Sequence, residues 1–233
     1  MCEILAAAWP EARPFSVLLP VVRKMERFGL AGFGWGVAWL AGGSVVGYRR
    51  PTTVASDRAG RGNLDSVAST RFLIHLRRPS RLSTTRLADT QPFVESGGAF
   101  AFCHNGSFRS HERYRDRFAG RLQGQADSEV GFRLFEELLP RFGEPAAGLR
   151  EVARRLGGSA NLGYLGADGR LLVRPGHPGN LVWRFRMDGG EMAATELHSR
   201  DRSLFDLVFP QATDPSVVED LADVARPAIA QIP

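Results

Sequence analysis

Ala99-Phe100-Ala101-Phe102-Cys103-His104-Asn105-Gly106 is the stretch on which the reading of this chain turns. Five small or apolar residues in succession read as a buried strand, which runs without a polar break into His-Asn-Gly. Asn-Gly is a common hairpin turn. However, Ser107-Phe108-Arg109-Ser110-His111-Glu112-Arg113 shows no alternation that would make a return strand. A buried strand ending in Asn-Gly can instead present an amide side chain and a backbone N–H together. Such a pair suits the oxyanion of a tetrahedral intermediate.

Upstream, Arg71 to Leu76 reads as a second largely buried strand, and Gly34 to Leu40 with Ser44 to Tyr48 as a hairpin around Gly42-Gly43. Val17, Leu18, Val21, Val22 and Met25 recur at helical steps. This predicts a helix capped by Ser16, with Pro20 in its first turn and Gly29 at its end. Trp9-Pro10-Glu11-Ala12-Arg13-Pro14 reads as a loop, and Leu64 to Ala68 as a short helix. Downstream, helices are expected from Asp127-Ser128 and from Pro145 to Gly157-Gly158. Two hairpins are expected around Ala167-Asp168-Gly169 and Asp188-Gly189-Gly190. Asp214-Pro215 reads as the cap of a last helix carrying Val217, Val218, Leu221 and Val224. Strands and helices come in blocks, so the expected class is α+β.

The 233 residues are 43% hydrophobic and 24% charged, which argues against disorder. No uninterrupted apolar run approaches the roughly 18 residues of a membrane helix. Two cysteines make no disulfide framework, and Cys103, His104 and His111 lack a zinc-ligand spacing, so no metal or other cofactor is expected. Met1-Cys2-Glu3-Ile4-Leu5 has no basic or long apolar segment of a secretory signal. The expectation is a soluble, cytoplasmic, single-domain protein with no membrane partner. Its net charge is +5, and Lys24 is the only lysine among 30 basic residues. The arginines are scattered from Arg13 to Arg226 and mixed with acids. A coding preference for arginine therefore explains the charge better than a nucleic-acid surface.

Four features carry chemistry. Cysteine at position two is small enough for the initiator methionine to be removed, leaving a thiol and an α-amine on one residue. An α-amine titrates near about pH 8 and can serve as base for the thiol. Asn105-Gly106 is the second feature. Arg77, at a strand end, can grip a carboxylate bidentately, and Asp127, at a helix start, can accept from an ammonium. Each has a plain alternative: an arbitrary second residue, a turn, a surface arginine, an ordinary cap.

In order, Met1-Cys2-Glu3, Gly34-Trp35-Gly36, His75-Leu76-Arg77, Thr90-Gln91-Pro92-Phe93, His104-Asn105-Gly106 and Asp127-Ser128-Glu129 resemble the class II glutamine amidotransferases. These are N-terminal nucleophile hydrolases of four-layer αββα architecture. The likeness is nearest to the short stand-alone members, among them the γ-glutamyl hydrolase of ergothioneine biosynthesis, and spans Cys2 to about Gly169. It implies a single amidotransferase domain over residues 2–233. Cys2 is then the nucleophile forming a γ-glutamyl thioester, Asn105 and Gly106 the oxyanion hole, Arg77 the α-carboxylate clamp and Asp127 the α-ammonium partner. His75 and His104 suit buried structural roles as well as catalytic ones.

The chain departs from the family pattern at Phe33, Gln91 and Ala126, and in Arg78-Pro79-Ser80-Arg81, where substrate contacts would fall. The implied substrate is glutamine or a γ-glutamyl amide. A glutaminase subunit feeding ammonia to a separate synthase is the alternative, and a non-catalytic basic binding module the alternative of another class.

Overall fold

The computed structural model describes residues 2–199 and 202–225. Two antiparallel sheets dominate. The larger contains β1 (Glu3–Pro14), β2 (Trp35–Ala41), β3 (Ser44–Arg50), β4 (Ala68–Leu76), β9 (Val182–Met187), β10 (Gly190–Thr195) and β11 (Thr213–Val217), in the order β11-β9-β10-β1-β4-β2-β3. The smaller is ordered β12-β8-β7-β6-β5, from β5 (Phe93–Val94), β6 (Phe100–Phe108), β7 (Gly158–Gly166), β8 (Leu171–Arg174) and β12 (Ala222–Asp223).

Strand alternation builds the layers, because neighbouring side chains point to opposite faces. Ile4, Ala6 and Ala8 of β1 meet Ala101 and Cys103 of β6 and Leu165 of β7 between the sheets. This interface is lined with small residues, and a Cβ on Gly163 would come within 2.6 Å of the Cys103 sulfur. Leu5 and Ala7 face the other way, joining Phe72 and Ile74 of β4 beneath α1 (Leu19–Phe28) and α6 (Arg202–Val208). Phe100 and Phe102 likewise turn outward under α4 (Asp127–Phe142) and α5 (Pro145–Leu156). Helix, sheet, sheet, helix is the resulting four-layer order. Two short helices, α2 (Arg58–Leu64) and α3 (Glu112–Phe118), add Leu64 and Phe118 to the two outer clusters.

Most expected elements are present, and five differ. Trp9 to Pro14 is not a loop but the second half of β1, with Arg13 opposite Ser69 and Pro14 opposite Ala68 after a register shift. The prolines are tolerated because β10 pairs with β1 only as far as Ala8, leaving that side free of ladder bonds. Ser16 lies in a 3-10 turn and does not cap α1, although Pro20 and Gly29 sit where expected. The short helix lies at Arg58–Leu64 instead of Leu64–Ala68, because Asp57 accepts from the Gly60 N–H at 3.0 Å and starts it earlier. Finally, Asp214-Pro215 starts no helix. Asp214 has a left-handed φ of 51°, unlike the extended backbone of an N-cap, and the segment forms the edge strand β11. β6 also continues through Asn105-Gly106 to Phe108, paired with β7 throughout.

Candidate active site

Cys2 precedes β1, and the register Glu3 opposite Leu76 sets it beside the residues that follow β4. Its sulfur accepts from the Arg78 N–H at 3.4 Å, and the S–H faces the Arg78 carbonyl at 3.7 Å. Burial pushes the thiol pKa up, against the opposing pull of the Arg78 backbone and the Arg77 charge. A thiol in that state is protonated at neutral pH and needs a base before it can attack.

A cleft of about 280 Å³ opens here, and Cys2, Arg77, Gly106 and Asp127 all line it. Arg77 is buried, with its guanidinium bonded to the Asp89 carbonyl, to the Thr84 carbonyl at 3.0 Å and to Thr84 Oγ1 at 2.7 Å. Its Nε is buried and has no partner among the described residues. Asp127 opens α4, and its Oδ2 accepts from the Phe108 N–H at 2.7 Å, which ties the helix start to β6. Gly106 has φ 132°, and a Cβ there would collide with the Ser159 carbonyl oxygen, so the position admits glycine alone.

Asn105, unlike Gly106, is not among the residues that line the cleft. It is fully buried, and its Nδ2 donates to the Cys2 carbonyl while its Oδ1 accepts from Asn161 at 3.0 Å. An amide nitrogen carries two hydrogens, so one donor is left after the bond to Cys2. The five residues singled out in the sequence are thus brought together from the residue before β1, the residue after β4, the last part of β6 and the start of α4.

The histidines are held as parts of the frame. His75 Nε2 lies 3.1 Å from the His104 carbonyl oxygen, and burial pushes its pKa down to about 3. His104 lines the cleft, stacks on Phe108 with centroids 4.1 Å apart, and lies 3.0 Å from Ser128 Oγ through Nδ1. Burial lowers its pKa as well, so both rings are neutral. Gln91, one of the departures, has a structural account. Its Oε1 accepts from the His104 N–H at 2.7 Å, and its Nε2 donates to Ser128 Oγ at 3.1 Å, joining β6 to α4.

Beneath Cys2 lies a polar group that sequence reasoning did not find. Glu3 is fully buried, accepts from Thr195 Oγ1 and from Asn180 Nδ2 at 3.0 Å, and has its pKa pushed by burial up to about 8. His198 Nε2 is 3.5 Å from Glu3 Oε1, and burial lowers its pKa to about 4. Asp89 was also missed. Its Oδ1 accepts from the Gln125 and Ala126 N–H groups, placing the turn before Asp127. The one available signal was Asn161, an isolated amide inside the apolar run Ala160 to Leu165.

No cluster of three or more metal-ligating side chains occurs among the described residues, and no described helix is long and apolar enough to cross a membrane.

The family model of the class-II glutamine amidotransferases matches residues 1–187. The chain belongs to this family. The family is one of enzymes, and solved structures agree in fold. Glutamine phosphoribosylpyrophosphate amidotransferase from B. subtilis is similar at TM-score 0.68 and 16% identity, over 94% of this chain and 45% of that one. A structure described as the allosteric regulatory enzyme of purine biosynthesis gives TM-score 0.70 and 14% identity over the same shares. A glutamine aminotransferase class-II domain protein from Silicibacter pomeroyi gives TM-score 0.55 and 20% identity, over 84% of this chain and 88% of that one. This amidotransferase therefore spans less than half the length of the first two. These likenesses establish the N-terminal nucleophile hydrolase fold. No curated protein matches the sequence.

Proposed function

We propose that this amidotransferase cleaves the side-chain amide of glutamine or of a γ-glutamyl amide through a thioester on Cys2. The observation that carries the reading is the convergence of Cys2, Arg77, Gly106 and Asp127 on one cleft. An α-amino acid needs one cationic and one anionic contact beside its reacting amide, and Arg77 and Asp127 supply that pair.

Removal of Met1 frees the α-amine of Cys2, which takes the thiol proton as sulfur attacks the amide carbon. The second hydrogen of Asn105 Nδ2 and the Gly106 N–H receive the developing oxyanion. Collapse breaks the C–N bond, the departing amine takes the proton back, and water then hydrolyses the thioester to a γ-carboxylate. In this reading residues 2–233 form one amidotransferase domain. The sharing of the larger sheet by β1, β9 and β10 supports extending the domain past residue 187.

The test is release of glutamate and ammonia from glutamine, with Cys2→Ala expected to abolish it. Intact mass after reaction with a glutamine-like electrophile should give one adduct, on a chain lacking Met1. An unprocessed, unlabelled chain that still turns over glutamine would sink the reading. The likeness to an amidotransferase more than twice as long favours one second reading, in which ammonia passes to an acceptor on a separate synthase. Turnover that rises on adding such a partner would support it, and turnover indifferent to every co-purifying protein would count against it.

A further inference from the structure

Asn161 lies on β7 directly opposite Asn105 of β6, fully buried, and every hydrogen-bonding position of its side chain is used. Its Oδ1 accepts from the backbone N–H groups of Gly176 at 2.9 Å and His177 at 3.0 Å. Its Nδ2 donates to the Asn180 carbonyl at 2.7 Å and to Asn105 Oδ1 at 3.0 Å. Two donors and two acceptances exhaust what an amide side chain offers.

The orientation of Asn161 is dictated from outside. Backbone N–H groups only donate, so the oxygen must face Gly176 and His177 and the nitrogen must face Asn105. A nitrogen that only donates then forces the Asn105 oxygen toward Asn161 and turns the Asn105 nitrogen toward Cys2. Reversed, Asn105 would set its oxygen against the Cys2 carbonyl and the developing oxyanion, repelling both.

We propose that Asn161 is a positioning residue that fixes which end of the Asn105 amide faces Cys2, relaying the direction of two backbone N–H groups into the oxyanion hole. This rests on the reading of Asn105 as an oxyanion donor. It assigns a role to a residue that touches neither the nucleophile nor the cleft.

Asn161→Asp tests it, because the near-isosteric carboxylate keeps an acceptor for Gly176 and His177 but sets an oxygen against Asn105 Oδ1. With glutamine as substrate, kcat is expected to fall at least about tenfold, with KM within about threefold of wild type. In an Asn105→Ala background the same change should cost almost nothing further, since the group it orients is gone. Thermal melting of each variant separates this from general loosening, and Asn161→Ala, which removes the side chain without adding charge, serves should Asn161→Asp not fold. Wild-type kcat in either folded variant, or losses that multiply in the double variant, would overturn the proposal. If Asn105→Ala itself retains wild-type kcat, the oxyanion reading fails first, an outcome distinct from failure of Asn161 alone.

Discussion

Glu3, Asn105, Asn161, Asn180 and Thr195, below Cys2, are each fully buried, whereas Arg78, Ser80, Arg81 and Glu112, around the same cleft, are exposed. The floor is drawn from β1, β6, β7, β10 and the segment before β9, so strands of both sheets meet in it. The rim comes from the loop after β4 and the start of α3. Buried polar groups must find partners, and in a low-dielectric setting a satisfied network holds one geometry. Exposed charges are screened and contribute little to structure. The difference teaches where each task resides. The floor is tied across both sheets by buried hydrogen bonds, and the rim can change with little penalty to the fold. That is consistent with the departures Arg78-Pro79-Ser80-Arg81 lying on the rim.

The largest effect on the floor should come from Gly106→Ala. The added methyl meets the Ser159 carbonyl at a φ that disfavours any side chain. We expect a loss of about 3 kcal/mol in stability by urea unfolding, with turnover down by about 100-fold or more. A stable, active variant would show that this part of the floor yields.

Asp127 lies where floor meets rim. Asp127→Asn keeps an acceptor for the Phe108 N–H but removes the charge offered to an α-ammonium. KM for glutamine should rise about 10- to 100-fold with a much smaller change in kcat. Unchanged KM would return Asp127 to a purely structural place at the head of α4.

The most gradual effect is a slope with pH. Burial holds the Glu3 pKa at about 8, above its unfolded value of 4.5. Between these values the unfolded chain releases a proton that the folded chain keeps. Stability therefore falls as pH rises through that window, by at most about 1.4 kcal/mol per pH unit from this group. Urea unfolding at pH 5, 6.5 and 8 should show Glu3→Gln gaining on wild type as pH rises. Parallel curves would mean that the carboxyl ionises normally and that the floor is wetter than described.

What could be read in advance was local. The β2–β3 hairpin needed only Gly42-Gly43 between apolar strands. α4 and α5 needed only a helical apolar stripe and their boundary residues. The motif order from Cys2 to Asp127 marked residues that the fold brings together, because their types and sequence positions are themselves the signal. The misreadings are also local in origin. Asp214-Pro215 carries a helix-start signal, and only pairing with Arg184 and Trp183 of β9 makes it an edge strand. Pro10 and Pro14 look like loop residues until β1 proves to lack a partner on one side there.

The amino-acid order alone pointed to the α+β class, to most of the secondary structure and to the residues that the proposed chemistry uses, because periodicity and residue chemistry act over a few positions. The floor belonged to the tertiary structure. Thr195 reaches Glu3 across 192 positions of sequence and Asn161 reaches Asn105 across 56. No short-range pattern announces such a partner, and its value arises only when folding removes the water that would otherwise satisfy each group.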